Sequence, residues 1–234
     1  MRDADSTVLP DLTGYSIAFD LDGTLVETAP DLVGAVNHVL ASRGRGRIDE
    51  ASLRALVGHG ARALIERAFA ETGDPADAAA MPGLTTLFLD YYRAHIADFS
   101  RPYPGTLAAL SRLARAGAAL SVCTNKAQSL AEDLLDALGM SSHFAAIVGS
   151  DALPVHKPDP EHFFEAIRRG NGDRARALLV GDSPTDAATA RNANVPFIAV
   201  TFGYTPVPPE ELGADVLIGH FDELDSAVAQ LAAR

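Results

Sequence analysis

Apolar and polar positions follow two different rhythms along this chain. Residues 15–19 (YSIAF) form a short, mostly apolar run without strict alternation. That is the pattern of a strand covered on both faces of a parallel sheet. After Leu25 the spacing turns helical: residues 31–42 carry Leu32, Val33, Val36, Val39 and Leu40 on one stripe. A Gly-Arg-rich break over 43–47 precedes a predicted helix over 50–57, with Asp49 as its cap. Gly58-His59-Gly60 interrupts, a helix resumes over 61–70, and Gly73-Asp74-Pro75 reads as a loop. The spacing then predicts a helix over 84–99, with Leu87, Phe88, Tyr91, Tyr92 and His95 as its face. No strand pattern occurs between about residues 27 and 100.

From Arg101 strands and helices alternate. Strands are predicted over 118–123, 145–148, 177–180 and 197–200, and a weaker one over 216–218. Helices are predicted over 105–116, 127–138, 161–169, 185–192 and 223–233. Gly117 and Gly139 stop two of them, and Asp159 with Pro160 starts a third. Such alternation means a parallel sheet. The expected fold is therefore α/β: a Rossmann-like parallel sheet core with helices on both faces, formed by residues 1–26 and 101–234. An all-helical cap domain over 27–100 is inserted into it. Leaving directly after the first strand, the insertion would overhang that strand's carboxyl end as a lid.

Composition changes this picture in three ways. Hydrophobic residues are 47% of the chain, enough for a sizeable core, yet the longest apolar runs are strand-length and suggest no membrane helix. A net charge of −12 argues against nucleic acid or anionic membrane as partner. Cys123 is the only cysteine, so no intrachain disulfide forms; this fits a reducing cytoplasm, and Cys123 reads as a small buried core residue. Residues 1–12 are polar and acidic, unlike a signal peptide, and read as a loose leader.

The candidate chemistry sits at strand ends. Asp20 and Asp22 follow the first strand, and in open α/β sheets such ends face the ligand crevice. Two carboxylates held close repel unless a cation lies between them or one stays protonated. The alternative is a solvated Asp-Gly turn. Thr124 ends the second core strand and could meet an anion together with the N–H groups of the next helix, or serve simply as a cap. Lys157, in VHKPDP, lies close before a helix start, where lysine is disfavoured unless an anion joins it. Lys126 and Lys157 are the only lysines; Lys126 reads as peripheral. In GDSPTD, Ser183 and Asp186 form an S-x-x-D capping box. The box leaves Asp182 unexplained, placed directly after an apolar strand. Carboxylates with one lysine and one hydroxyl suit Mg²⁺ and phosphate, whereas scattered histidines and a lone cysteine disfavour zinc.

Taken together, DLDGTL, the strand-end Thr124, Lys157 in KPDP, and GDSPTD resemble the ordered motifs of the haloacid dehalogenase superfamily. The resemblance spans the whole α/β part, and the helical insertion resembles that family's first type of cap. It implies a Mg²⁺-dependent phosphomonoesterase, with Asp20 as nucleophile through an aspartyl-phosphate and Asp22 as general acid, then base. Thr124, Asn125 and Lys157 would bind the phosphoryl group, Lys157 also orienting Asp20. Asp20, Asp182 and the main-chain carbonyl of Asp22 would ligate the metal, with Asp186 behind them. Keeping the second aspartate, Asp22, separates phosphoryl transfer from dehalogenation. The absence of lysine from 27–100 weakens readings as a phosphosugar mutase or a Schiff-base phosphonate hydrolase. The stretches LVGHGARALIERAF, LPVHKPDP and FIAVTFGYTPVPPEELGADVLI are most similar to the phosphoglycolate phosphatase branch, although phosphatases of sugar phosphates, nucleotides and pyrophosphate share much of them. The expected partner is accordingly a small phosphorylated metabolite, and the expected state a monomer or homodimer. On that branch the substrate's carboxylate would meet the cap turn at Gly58 and Gly60, with Arg62 either contacting it or standing as an exposed helix arginine.

Overall fold

The computed structural model describes residues 9–233. Its centre is a parallel sheet in the order β5-β4-β1-β6-β7-β8. The strands are β1 (Ser16–Phe19), β4 (Ala119–Cys123), β5 (Ala146–Val148), β6 (Ala177–Gly181), β7 (Phe197–Val200) and β8 (Val216–Ile218). β1 is paired along its whole length with β4 on one side and β6 on the other.

Side chains alternate across each strand, so neighbours serve opposite layers. Ile17 and Phe19 join the core under α5 (Thr106–Arg115), α6 (Gln128–Ala137) and α9 (Leu224–Ala232). Ala18 faces the other layer, made by α7 (Pro160–Arg169) and α8 (Pro184–Ala193). Both faces are thus covered, which is why β1 is buried at every position and reads as a continuous apolar run. Burying Phe19 alone contributes about 1.5–3 kcal/mol.

The chain leaves the sheet after β1 and returns before α5 through a short antiparallel ribbon. β2 (Val26–Glu27) pairs with β3 (Arg101–Pro102), Val26 opposite Pro102. Between them lie α1 (Ala29–Ala41), the single-turn α2 (Glu50–Leu53), α3 (Ala61–Thr72) and α4 (Met81–Ala94). The two-residue pairs of this ribbon are too short to announce themselves by periodicity.

Several elements differ from their predicted extents. The helix predicted over 50–57 is α2 followed by a tighter turn over Arg54–Leu56, and Asp49 makes no side-chain cap. α4 starts and ends earlier than the predicted 84–99. Pro82 stands in its first turn, and Met81, Leu84, Phe88 and Tyr92 are its buried face. His95 falls beyond the helix, because the buried carboxylate of Asp31 accepts hydrogen bonds from Phe99 N at 3.1 Å and Ser100 N at 2.7 Å and draws the chain off the helical path. The expected leader does not extend to residue 12: Leu12 is fully buried and donates its N–H to Ala116 O at 2.7 Å. Its first part, residues 1–8, lies outside the described residues. No described helix is long and apolar enough to cross a membrane.

Candidate active site

Three strand ends converge on one crevice. β1 delivers Asp20, β4 delivers Thr124 and β6 delivers Asp182, all largely buried. The loop before α7 inserts a fourth group, Lys157. Lys157 Nζ lies 2.8 Å from Asp20 Oδ1 and 2.6 Å from Asp186 Oδ1, and the lysine is 2% exposed. Burial works against its charge, but the carboxylates of Asp186 and Asp20 more than offset it and hold the ammonium above its ordinary range.

Asp186 commits both oxygens. One meets Lys157; the other accepts from Ser183 Oγ at 2.6 Å and Ser183 N at 3.1 Å, while Ser183 Oγ accepts from Asp186 N. The capping box that starts α8 therefore also anchors Lys157. Asp182 is fixed by Thr24, whose hydroxyl donates to Oδ1 at 2.9 Å, and by Tyr204 N, which donates to Oδ2 at 2.6 Å. This packing requires glycine at position 23: its φ is +84°, and a Cβ there would stand 2.6 Å from Asp182 Oδ2.

Carboxylate oxygens of Asp20, Asp182 and Asp186 lie within 4.8 Å of one another. Burial pushes the Asp20 carboxyl up to about 6 against the pull of Lys157. Burial, followed by the charges of Asp20 and Asp186, also holds Asp182 well above the usual carboxylate range. Three buried carboxyl groups thus share the one ammonium among them. The donors are all oxygen, without histidine or cysteine, which fits a hard divalent cation such as Mg²⁺.

Asp22 stands beside this cluster. Its Oδ1 accepts from Thr28 Oγ1 at 2.7 Å and from Lys126 Nζ at 2.9 Å. Lys126 is therefore not peripheral. Its side chain is 6% exposed, and its ammonium sits 4.7 Å above the ring of Tyr92. The one sequence signal was its position, beside Thr124 and one of only two lysines.

Thr124 does not cap α6. That helix begins at Gln128, and Thr124 Oγ1 instead accepts from Lys126 N at 3.1 Å. Asn125 donates Nδ2 to Lys157 O at 3.1 Å, tying the β4 turn to the Lys157 loop. Two small cavities, about 30 and 70 Å³, open on Asp20 and Asp22 under Val57, Gly58 and His59. Thr124, Asn125, Lys126 and Lys157 line the smaller one. Gly58 and Gly60 both line a third, mainly apolar cavity of about 210 Å³ that also opens on Asp22. Their φ angles are +89° and +86°, with no atom within 4 Å of a Cβ built at either. Glycine supplies the positive φ of this turn, and the space beside each is open. Arg62 is not brought to the site: its guanidinium pairs with Glu66 at 2.7 Å and its side chain is 68% exposed.

Sequence reasoning did not find Thr24, Thr28, Tyr204 or Tyr92. The Tyr204 hydroxyl accepts from Thr28 N at 2.6 Å and Ala29 N at 3.0 Å, and donates to Glu27. Arg54 pairs with Glu27 at 2.9 Å and stacks its guanidinium over the Tyr204 ring. The backbone that fixes Asp182 is thereby tied to the ribbon and to the helices beyond it.

The model of the family described as haloacid dehalogenase-like hydrolase matches residues 17–200. The chain is 50% identical to the phosphoglycolate phosphatase of Caulobacter vibrioides, over 96% of this chain and 95% of that one. It is 48% identical to the phosphoglycolate phosphatase of Mesorhizobium japonicum, over 92% and 94% of the two chains. Its fold superposes on the crystal structure of a predicted phosphoglycolate phosphatase from Haemophilus somnus 129pt with a TM-score of 0.85, at 28% identity, covering 92% of this chain and 97% of the other.

Proposed function

Because the chain belongs to the haloacid dehalogenase-like hydrolase family and is a phosphatase, we propose that its substrate is 2-phosphoglycolate and its nucleophile Asp20. The observation that carries the chemistry is the meeting of Asp20, Asp22, Thr124 and Lys157 around one small cavity. The name shared by relatives near 50% identity over almost the whole chain supports the substrate.

In this reading Asp20 attacks phosphorus as the bond to the glycolate oxygen breaks, giving an aspartyl-phosphate. Asp22 donates a proton to the departing oxygen, then takes one from the water that hydrolyses the acyl phosphate. Phosphate leaves and Asp20 is regenerated. Thr124 and Lys157 hold the phosphoryl oxygens, Lys157 also fixing Asp20 with Asp186 behind it. Asp20, Asp182 and the main-chain carbonyl of Asp22 would hold Mg²⁺. When bound, the cation supplies charge that lets a carboxylate approach an anionic phosphate. Residues 1–26 and 101–234 form the catalytic body in this reading, and residues 27–100 a cap whose turn at Val57–His59 shields the reaction from water.

A panel of phosphomonoesters assayed with Mg²⁺ tests the reading. Phosphoglycolate should exceed ethyl phosphate and hexose phosphates in kcat/KM by at least ~10-fold, the order of one charge-assisted contact. A clear preference for hexose phosphates or pyrophosphate would leave the phosphatase and remove the substrate.

A further inference from the structure

An apolar cavity of about 210 Å³ between α3, α4 and α6 opens on Asp22. Leu32, Leu64, Phe88, Leu89 and Leu130 are the large apolar residues in its wall. Asp22 is the proposed donor to the departing oxygen, so the organic part of the substrate must lie on this side. Against an apolar wall, a carboxylate held there needs a specific partner, because an unpaired buried charge is costly. Among the described residues Lys126 is the only cation lining that cavity.

Tyr92 supplies a second feature. It is 1% exposed, lines the same cavity beneath Lys126, and its hydroxyl, beside the Lys126 ammonium that can only donate, has no acceptor for its own hydrogen among the described residues. Buried hydroxyls are normally satisfied, and one left without an acceptor in a cavity that also holds an ammonium points to an acceptor arriving from outside. Burial moves this hydroxyl away from ionisation, with its pKa pushed up to about 12, so it stays a donor. Arg62, the other cation considered for this role, is turned to solvent and paired with Glu66.

We propose that Lys126 and Tyr92 together bind the carboxylate of the leaving group and so select phosphorylated short hydroxy acids over phosphomonoesters whose organic part is uncharged. This rests on the phosphoglycolate reading and deepens it. Lys126 now neutralises Asp22 Oδ1 and would share its charge with the incoming carboxylate.

The test is a ratio of kcat/KM for phosphoglycolate to that for ethyl phosphate, which lacks the carboxylate but uses the same phosphoryl site. Lys126 also touches Asp22, so its loss lowers both numbers and only the ratio is diagnostic. Lys126→Met should reduce the ratio by about 10-fold or more, the effect of a lost charge-assisted hydrogen bond. Tyr92→Phe removes a single oxygen from a buried ring, so folding is preserved. It should lower the ratio by about 3-fold or more, the effect of one neutral hydrogen bond. A wild-type ratio near unity would overturn the substrate reading and this receptor together. A strong wild-type preference retained in Tyr92→Phe and in folded Lys126→Met would overturn the receptor alone.

Discussion

The floor of the site and the cavity beside it are built on opposite principles. The floor packs Asp20 and Asp182 at strand ends against Lys157 from the loop before α7 and Asp186 from the first turn of α8, and holds every side chain by hydrogen bonds or ion pairs. The side cavity is mainly apolar, with leucine and phenylalanine contributed by cap helices and α6, and few polar groups, among them Asp22, Tyr92 and Lys126. Charge at the floor serves a reaction that every phosphomonoester shares. The cavity can discriminate only through shape and its few polar groups. Chemistry and selection are therefore separable by mutation, with the largest effects expected at the floor.

The most severe test exchanges the two aspartates of β1's end. Asp20→Asn should retain the fold and reduce turnover to background, since an amide does not attack phosphorus. Asp22→Asn keeps the nucleophile and loses proton transfer, typically worth ~10²–10⁴-fold. Steady-state assays with phosphoglycolate and with an activated aryl phosphate separate the roles. A good leaving group needs little protonation, so Asp22→Asn should recover in part on the aryl ester, up to the limit set by the water step that also uses Asp22, while Asp20→Asn should not. Near-normal turnover by a verified Asp20→Asn protein would sink the covalent mechanism.

Metal removal comes next and acts on the floor alone. Excess chelator should abolish turnover and added Mg²⁺ should restore it, because the buried carboxylates otherwise face the phosphate with one lysine between them. Ca²⁺ should substitute poorly, since it takes more ligands at longer distances. Full activity in chelator would remove Asp182 from the role of ligand and would erase the contrast between floor and cavity.

The same contrast explains what was legible in the sequence. Asp20, Thr124 and Asp182 each follow a short strand directly, with Asp22 two residues beyond the first, so their convergence follows from the sheet once the strands are seen. Six parallel strands with helices on both faces were readable because each element carries its own period and stop. The side cavity has no such local mark. Tyr92 and Lys126 belong to different elements, and Tyr92 reads as an ordinary member of α4's buried face. Tyr204 reaches Thr28 across 176 positions of sequence. Arg62 looked suitable from its place after a glycine turn, but its i, i+4 partner Glu66 competes for it on the exposed side of α3. What depended on tertiary contact between distant segments was hidden.

The smallest expected effect concerns a pair just below the floor that shows how local the charge is. Cys123 ends β4, and its Sγ lies 3.3 Å from His162 Nδ1; both residues are fully buried. A thiol beside an imidazole resembles a nucleophile and its base. Burial instead pushes the thiol up to about 12 and the imidazole below its ordinary value, so both stay neutral. His162 Nε2 faces the carbonyl of Gly149 at 2.9 Å, and a carbonyl only accepts. The proton therefore sits on Nε2, and Nδ1 receives the thiol hydrogen. Protonating Nδ1 would break that arrangement. The sign follows: below about pH 6.5, the ordinary histidine value, the unfolded chain takes up a proton that the folded chain refuses. Stability contributed by neutral His162 is complete above that pH and is lost as pH falls towards the depressed folded value. The slope is at most about 1.4 kcal/mol per pH unit. His162→Gln keeps an amide donor for the Gly149 carbonyl and does not titrate. Urea midpoints measured from pH 7.5 to 5 should fall more steeply for the wild type than for His162→Gln, with the two curves parallel above pH 7. Parallel curves throughout would mean that His162 accepts a proton as readily when folded as when unfolded, and that charge is tolerated one layer beneath the floor.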